Sequence, residues 1–117
     1  MARPRLNRPT DAELQILAIL WRQGARTIRE IHIELKKLRG SGYNSALKLV
    51  QIMHDKGLVN KNATGYPQTF TAAVSRSATE RLLVKDLLTR VFEGDAHRFG
   101  IHLDALSFKD VRAKKSA

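Results

Sequence analysis

Residues 43–59 read YNSALKLVQIMHDKGLV, and this stretch decides the fold. Ala46, Leu49, Val50 and Met53 recur at the i, i+3, i+4, i+7 spacing of a helix with one buried face. Asn44 or Ser45 can cap its start, since a short side-chain oxygen accepts from the unpaired amides of a first turn. Gly57 can take the left-handed conformation that ends a helix, and Leu58-Val59 then begins a strand. The other face carries Asn44, Ser45, Lys48, Gln51 and Asp55. A short helix with polar groups toward its N-terminal end is what a helix-turn-helix inserts into a major groove.

Two further helices precede this one. Thr10-Asp-Ala-Glu13 is a capping-box pattern after Pro9, and Leu14, Ile16, Leu17, Leu20 and Trp21 then keep helical spacing until Gly24. A second capping box, Thr27-Ile-Arg-Glu30, opens a segment with Ile28, Ile31, Leu35 and Leu38 on one face, closed by Gly40-Ser-Gly42. The short link from Arg39 to Tyr43 joins the second and third helices as in a helix-turn-helix. Downstream, Asn62-Ala63-Thr64-Gly65 supplies turn residues and Thr69–Val74 reads as a returning strand. This hairpin is expected to be a wing. Its tip holds Lys61, Asn62, Thr64 and Tyr66, groups able to bond phosphate or enter a minor groove, while Phe70 anchors it to the helices. Pro67 suits an edge.

A third capping box, Ser77-Ala-Thr-Glu80, is expected to start a longer helix bearing Leu82, Leu83, Leu87, Leu88, Val91 and Phe92 and ending near Gly94. Residues 96–106 add Phe99, Ile101, Leu103 and Leu106. Such apolar stripes either pack back on the three-helix unit or find a partner. A dimer contact through Leu83, Leu87, Leu88, Val91, Phe92, Phe99 and Leu103 is the expectation. The fold class is thus mainly α (α+β): a winged helix-turn-helix over residues 1–75 and a helical dimerisation region over 76–117, with a polar tail from Lys109.

The formal net charge of the 117-residue chain is +10, which favours phosphate-rich partners through counterion release. Arg3, Arg5 and Arg8 form an arm, and Arg22, Arg26 and Arg29 surround the first inter-helix junction. Lys36, Lys37 and Arg39 end the second helix, and Lys56 and Lys61 flank the hairpin. Each alone reads as a solvated charge; their clustering around one motif points to double-stranded DNA. Asn44, Ser45, Lys48, Gln51, Arg8, Arg26, Lys61, Asn62, Thr64 and Tyr66 are the candidate contacts.

Lacking cysteine, the chain has no disulfide, thiolate metal site or cysteine nucleophile. No signal-peptide pattern or membrane-length apolar run is read, so a soluble cytoplasmic protein without membrane insertion is expected. His97 and His102 lie off one helical face, and neither a GxGxxG nor a GxxxxGK run occurs. No catalytic constellation, cofactor or metal is expected, and the enzyme class is set aside.

Four segments in order carry a resemblance: PTDAELQILAILW (9–21), TIREIHIEL (27–35), YNSALKLVQIMHDKGLV (43–59) and LLVKDLLTRVFEGD (82–95). Together they resemble the BlaI/MecI/CopY family of penicillinase-repressor-type transcription regulators, winged-helix proteins that bind palindromic operators as homodimers. The resemblance implies a sequence-specific repressor with Ser45, Lys48 and Gln51 facing the groove. Lys48 stands where the family has threonine and Ile52 where it has arginine, which leaves the operator open. The Leu106-Ser-Phe-Lys-Asp110 start of a last helix is followed by few residues, implying a weaker dimer. β-Lactam-responsive members are inactivated by proteolysis, which raises a membrane sensor and protease as a partner system; copper-responsive members carry a cysteine motif that this chain lacks. The alternative is a winged-helix protein-interaction module without sequence-specific DNA binding, since Leu47 and Ile52 make the third helix less polar than a groove reader's.

Overall fold

The computed structural model describes residues 8–106. Its elements run α1 (Asp11–Gln23), α2 (Ile28–Arg39), α3 (Tyr43–Lys56), β1 (Val59–Asn62), β2 (Thr69–Ala72), α4 (Arg76–Phe92) and α5 (Ala96–Ala105). They fall into two compact units, Met1–Glu80 and Arg81–Ala117. Arg3, Arg5 and the tail from Lys109 lie outside the described residues.

The capping boxes of α1 and α2 form as their sequences predict. Thr10 Oγ1 accepts from the Glu13 amide at 3.2 Å while a Glu13 carboxylate oxygen accepts from the Thr10 amide at 3.0 Å. Thr27 and Glu30 repeat this at 3.1 and 2.9 Å. Two orphan amides are thereby satisfied at each helix start.

α3 begins differently. Its N-cap is Gly42, with no side-chain hydrogen bond, so neither Asn44 nor Ser45 caps it. Both lie inside the first turn, where their side chains project outward instead of reaching back to the amides. At the other end Gly57 sits at φ 83°, and its amide reaches the carbonyls of His54 and Met53, the left-handed close that glycine tolerates best.

α4 also starts earlier than its sequence pattern implies. Ser75, not Ser77, accepts from a first-turn amide, that of Ala78 at 3.0 Å, and the Thr79 hydroxyl donates to the Ser75 carbonyl at 2.8 Å. Glu80 meets Arg76 Nε at 3.2 Å instead of closing a box. Ser75 lies three residues past the end of β2 and immediately before Arg76, so the chain leaving the hairpin reaches it before Ser77.

The core of the first unit gathers one face from each helix and the root of the hairpin. Ile16, Leu17 and Leu20 of α1, Ile31 and Leu35 of α2, and Ala46, Val50 and Met53 of α3 close around Leu58, Val59 and Phe70. Leu38 shares the phase of Ile31 and Leu35 but is 56% exposed, because it lies in the final turn of α2, beyond the packed layer.

β1 and β2 pair antiparallel, with Val59 opposite Ala72, Asn60 opposite Thr71, Lys61 opposite Phe70 and Asn62 opposite Thr69. Phe70 points into the core, as expected of the hairpin's anchor. It is also clasped from the far side: its amide donates to the Arg26 carbonyl at 2.8 Å and its carbonyl accepts from the Arg26 amide at 3.1 Å. Arg26 thus adds a one-residue third strand to the wing. Past the wing, the Trp21 indole donates to the Val74 carbonyl at 3.0 Å, and the Arg76 guanidinium lies 5.9 Å from its ring centre.

In the second unit Asp95 caps α5 by accepting from the Arg98 amide at 3.1 Å. Phe92 stacks edge-on with Phe99 at 5.4 Å, lies 5.5 Å from the His102 ring, and takes the Arg98 guanidinium at 5.7 Å. No α5 residue is buried.

Candidate nucleic-acid interface

The buried arc of α3 is fixed by Ala46, Val50 and Met53, so helical phase puts Asn44, Lys48, Gln51 and Asp55 diametrically outward. All four are exposed, as is Ser45. Among the described residues the side chains of Asn44, Ser45, Lys48 and Gln51 have neither a hydrogen bond nor an ion pair, so their polar groups are open to an external partner.

Between α3 and the wing lies an open groove of about 740 Å³. The N-cap Thr27 and the first-turn Arg29 come from the start of α2, α3 contributes Tyr43, Leu47, Gln51, His54 and Asp55, and the wing contributes Lys61, Tyr66, Gln68 and Phe70. The groove therefore brings together Gln51, Lys61 and Tyr66, three residues singled out from sequence. Tyr66 is 98% exposed and so is held only through its backbone. Tyr43, which the sequence pattern did not single out, stands at the groove's α2 end and meets the His32 ring edge-on at 5.7 Å.

Other predicted contacts are committed within the fold. Asn62 Oδ1 accepts from both the amide and the hydroxyl of Thr64, at 3.1 and 2.7 Å, which shapes the wing turn. Arg26 Nε donates to Gln23 at 3.1 Å, and the residue does not line the groove. Arg8 is half-buried and already engaged.

The basic clusters read from sequence divide in the same way. Lys56, placed beside the hairpin by sequence, donates to the buried Glu13 carboxylate at 2.8 and 3.0 Å. Arg39 donates to Gln15 at 2.8 Å, and Lys37 lies 3.5 Å from Glu34. Nothing at sequence level marks the Lys56 pair, since its partner is 43 residues away. Arg29, Lys48 and Lys61 remain as the cations around the groove and the outer face of α3.

Among the described residues no group of three or more His, Asp or Glu side chains could hold a metal ion, and no helix is long and apolar enough to cross a membrane.

The sequence matches the model of the penicillinase repressor family over residues 9–112. Among solved structures, the chain resembles the solution structure of the DNA-binding domain of the repressor BlaI, with a TM-score of 0.55 and 21% identity. That match covers 66% of this chain and 92% of the BlaI domain, and it establishes the winged-helix fold. No curated protein matches. Because the family match takes in both the winged helix and the helices that follow it, the chain belongs to the penicillinase repressor family.

Proposed function

We propose that this protein is a DNA-binding transcriptional repressor that holds a palindromic operator as a homodimer, with α3 in the major groove and the wing beside flanking phosphate. The observation that carries the reading is the outer face of α3, where Asn44, Ser45, Lys48 and Gln51 are exposed and unpaired next to a groove edged by Arg29 and Lys61. Polar side chains left without partners on a helix narrow enough for the major groove suit base-edge readout. The surrounding cations supply the sequence-independent part of the affinity.

Dimerisation draws support from α4 and α5. Leu87, Val91 and Leu103 are 38–55% exposed, as are Leu82, Val84, Ile101 and Leu106, while Leu83, Leu88, Phe92 and Phe99 are half-buried. An apolar surface of this kind at a helix pair without a buried core suits a second copy. Two subunits related by a twofold axis would present two α3 helices to the two halves of a palindrome. Release from DNA through a membrane sensor and protease remains part of this proposal, by family analogy.

A second reading, docking of another protein on α3, draws on the exposed Tyr43 and Ile52. Selection of bound fragments from random duplex DNA separates the two. Enrichment of a two-half-site palindrome supports the repressor, and recovery without enrichment supports protein docking.

A further inference from the structure

We propose that Ile52 is a specificity-determining residue that packs on the C5-methyl group of a thymine in the bound duplex. This rests on the DNA-binding reading above. Ile52 is 40% exposed and lies on a different side of α3 from the buried Ala46, Val50 and Met53. Solitary exposed isoleucines are ordinary on protein surfaces, so exposure alone decides nothing. Its neighbours do. Ile52 follows Lys48 by one turn and Ser45 by two, so the three share one edge of the outer face. Helical phase separates that edge from the stripe of Tyr43, Leu47 and His54 that lines the wing groove.

One side chain could have shielded Ile52. Lys56 lies a turn further along the same edge, and a lysine stem commonly covers apolar surface beneath it. Here its ammonium is held on Glu13 at 2.8 and 3.0 Å, which fixes the stem toward α1. The edge therefore shows a hydroxyl, an ammonium and a partly exposed branched aliphatic side chain in succession. Unmodified DNA presents one apolar group along the floor of the major groove, the thymine methyl, and aliphatic side chains read it by contact. Ser45 and Lys48 bond base-edge acceptors or phosphate, and Ile52 excludes water from the methyl beside them.

The test uses the full chain and the duplex it enriches from random DNA, with each thymine replaced in turn by deoxyuridine, which lacks only the methyl group. For the native protein one thymine per half-site should be sensitive, with affinity falling about fourfold when its methyl is removed. Ile52→Ala should bind the parent duplex more weakly and be indifferent to uracil at that position, while Ile52→Val should keep a reduced uracil penalty. If no thymine is sensitive, or the penalty persists undiminished in Ile52→Ala, the assignment is overturned while the repressor reading stands. If the native protein enriches no duplex at all, the DNA reading fails and this inference with it. Loss of helical signal in Ile52→Ala would shift the decision to Ile52→Val, whose uracil penalty must then be smaller than that of the native protein.

Discussion

The Glu13 carboxylate ties the first turn of α1 to the last residue of α3: Lys56 Nζ donates to its two oxygens at 2.8 and 3.0 Å, and the Thr10 amide donates to the nearer one. Glu13 is 2% exposed, so its charge has little access to water and depends on these donors. The same pair joins α1 to α3 and holds the Lys56 ammonium away from the outer face.

Lys56→Met should therefore destabilise the protein by about 3 kcal/mol, because it leaves a buried carboxylate without its counter-charge. Glu13→Gln should cost less, about 1 kcal/mol, since the lysine is partly exposed and can turn to water while the amide oxygen still accepts from Thr10. Urea unfolding checks the order through its midpoint at unchanged slope. Equal costs would mean that the pair is solvent-screened.

Lys48→Ala and Gln51→Ala should each weaken binding to the enriched duplex by roughly 1–3 kcal/mol if a bidentate base contact is lost, with a smaller effect on unrelated DNA. Competition binding with the two DNAs separates these effects. Equal losses on both would assign the residues to the phosphate backbone.

Lys61→Ala should act differently, because a wing lysine beside phosphate carries no sequence information. Binding should weaken about equally on all duplexes, and the slope of log affinity against log salt should fall by about 1 per subunit. With about three or four phosphates neutralised per subunit, the slope for the proposed dimer is expected at roughly −5 to −7.

The helices of the winged unit were legible because their signals are local. Two capping boxes and a terminal glycine sit within a turn of the groups they satisfy, and the apolar spacing of Ala46, Val50 and Met53 fixes the outer face of α3 without further information. What escaped was set by partners distant in sequence. Lys56 reads as a surface cation until Glu13 folds beside it, and no local signal announces that the Arg26 backbone pairs with Phe70. The start of α4 differs for a related reason: the Ser-x-x-Glu pattern favours Ser77, whereas the structure uses Ser75 and turns Glu80 to Arg76. Tyr43 escaped because the groove it edges is built from three elements.

Phe70→Ala should cost about 3–5 kcal/mol, for it empties a site in the core and loosens the strand that Arg26 clasps. Amide hydrogen exchange should then be faster at Phe70 and at Arg26 than in the native protein. Unchanged protection at Arg26 would show that the clasp stands independently of the ring.

Val91→Asp should convert the proposed dimer to a monomer and leave the first unit folded, because a carboxylate on that apolar surface would be desolvated without a partner. Sedimentation velocity reports the mass, and the Trp21 fluorescence reports the fold. A native protein that is already monomeric at all accessible concentrations would remove the dimer from the account.

Amide chemical-shift mapping of the full chain during titration with the enriched duplex tests the central claim most directly. The account predicts the largest shifts at Asn44, Ser45, Lys48 and Gln51, with a second group at Lys61 and Tyr66 and little change along α1. Saturable binding that leaves α3 unperturbed while shifting α1 or α5 would contradict it.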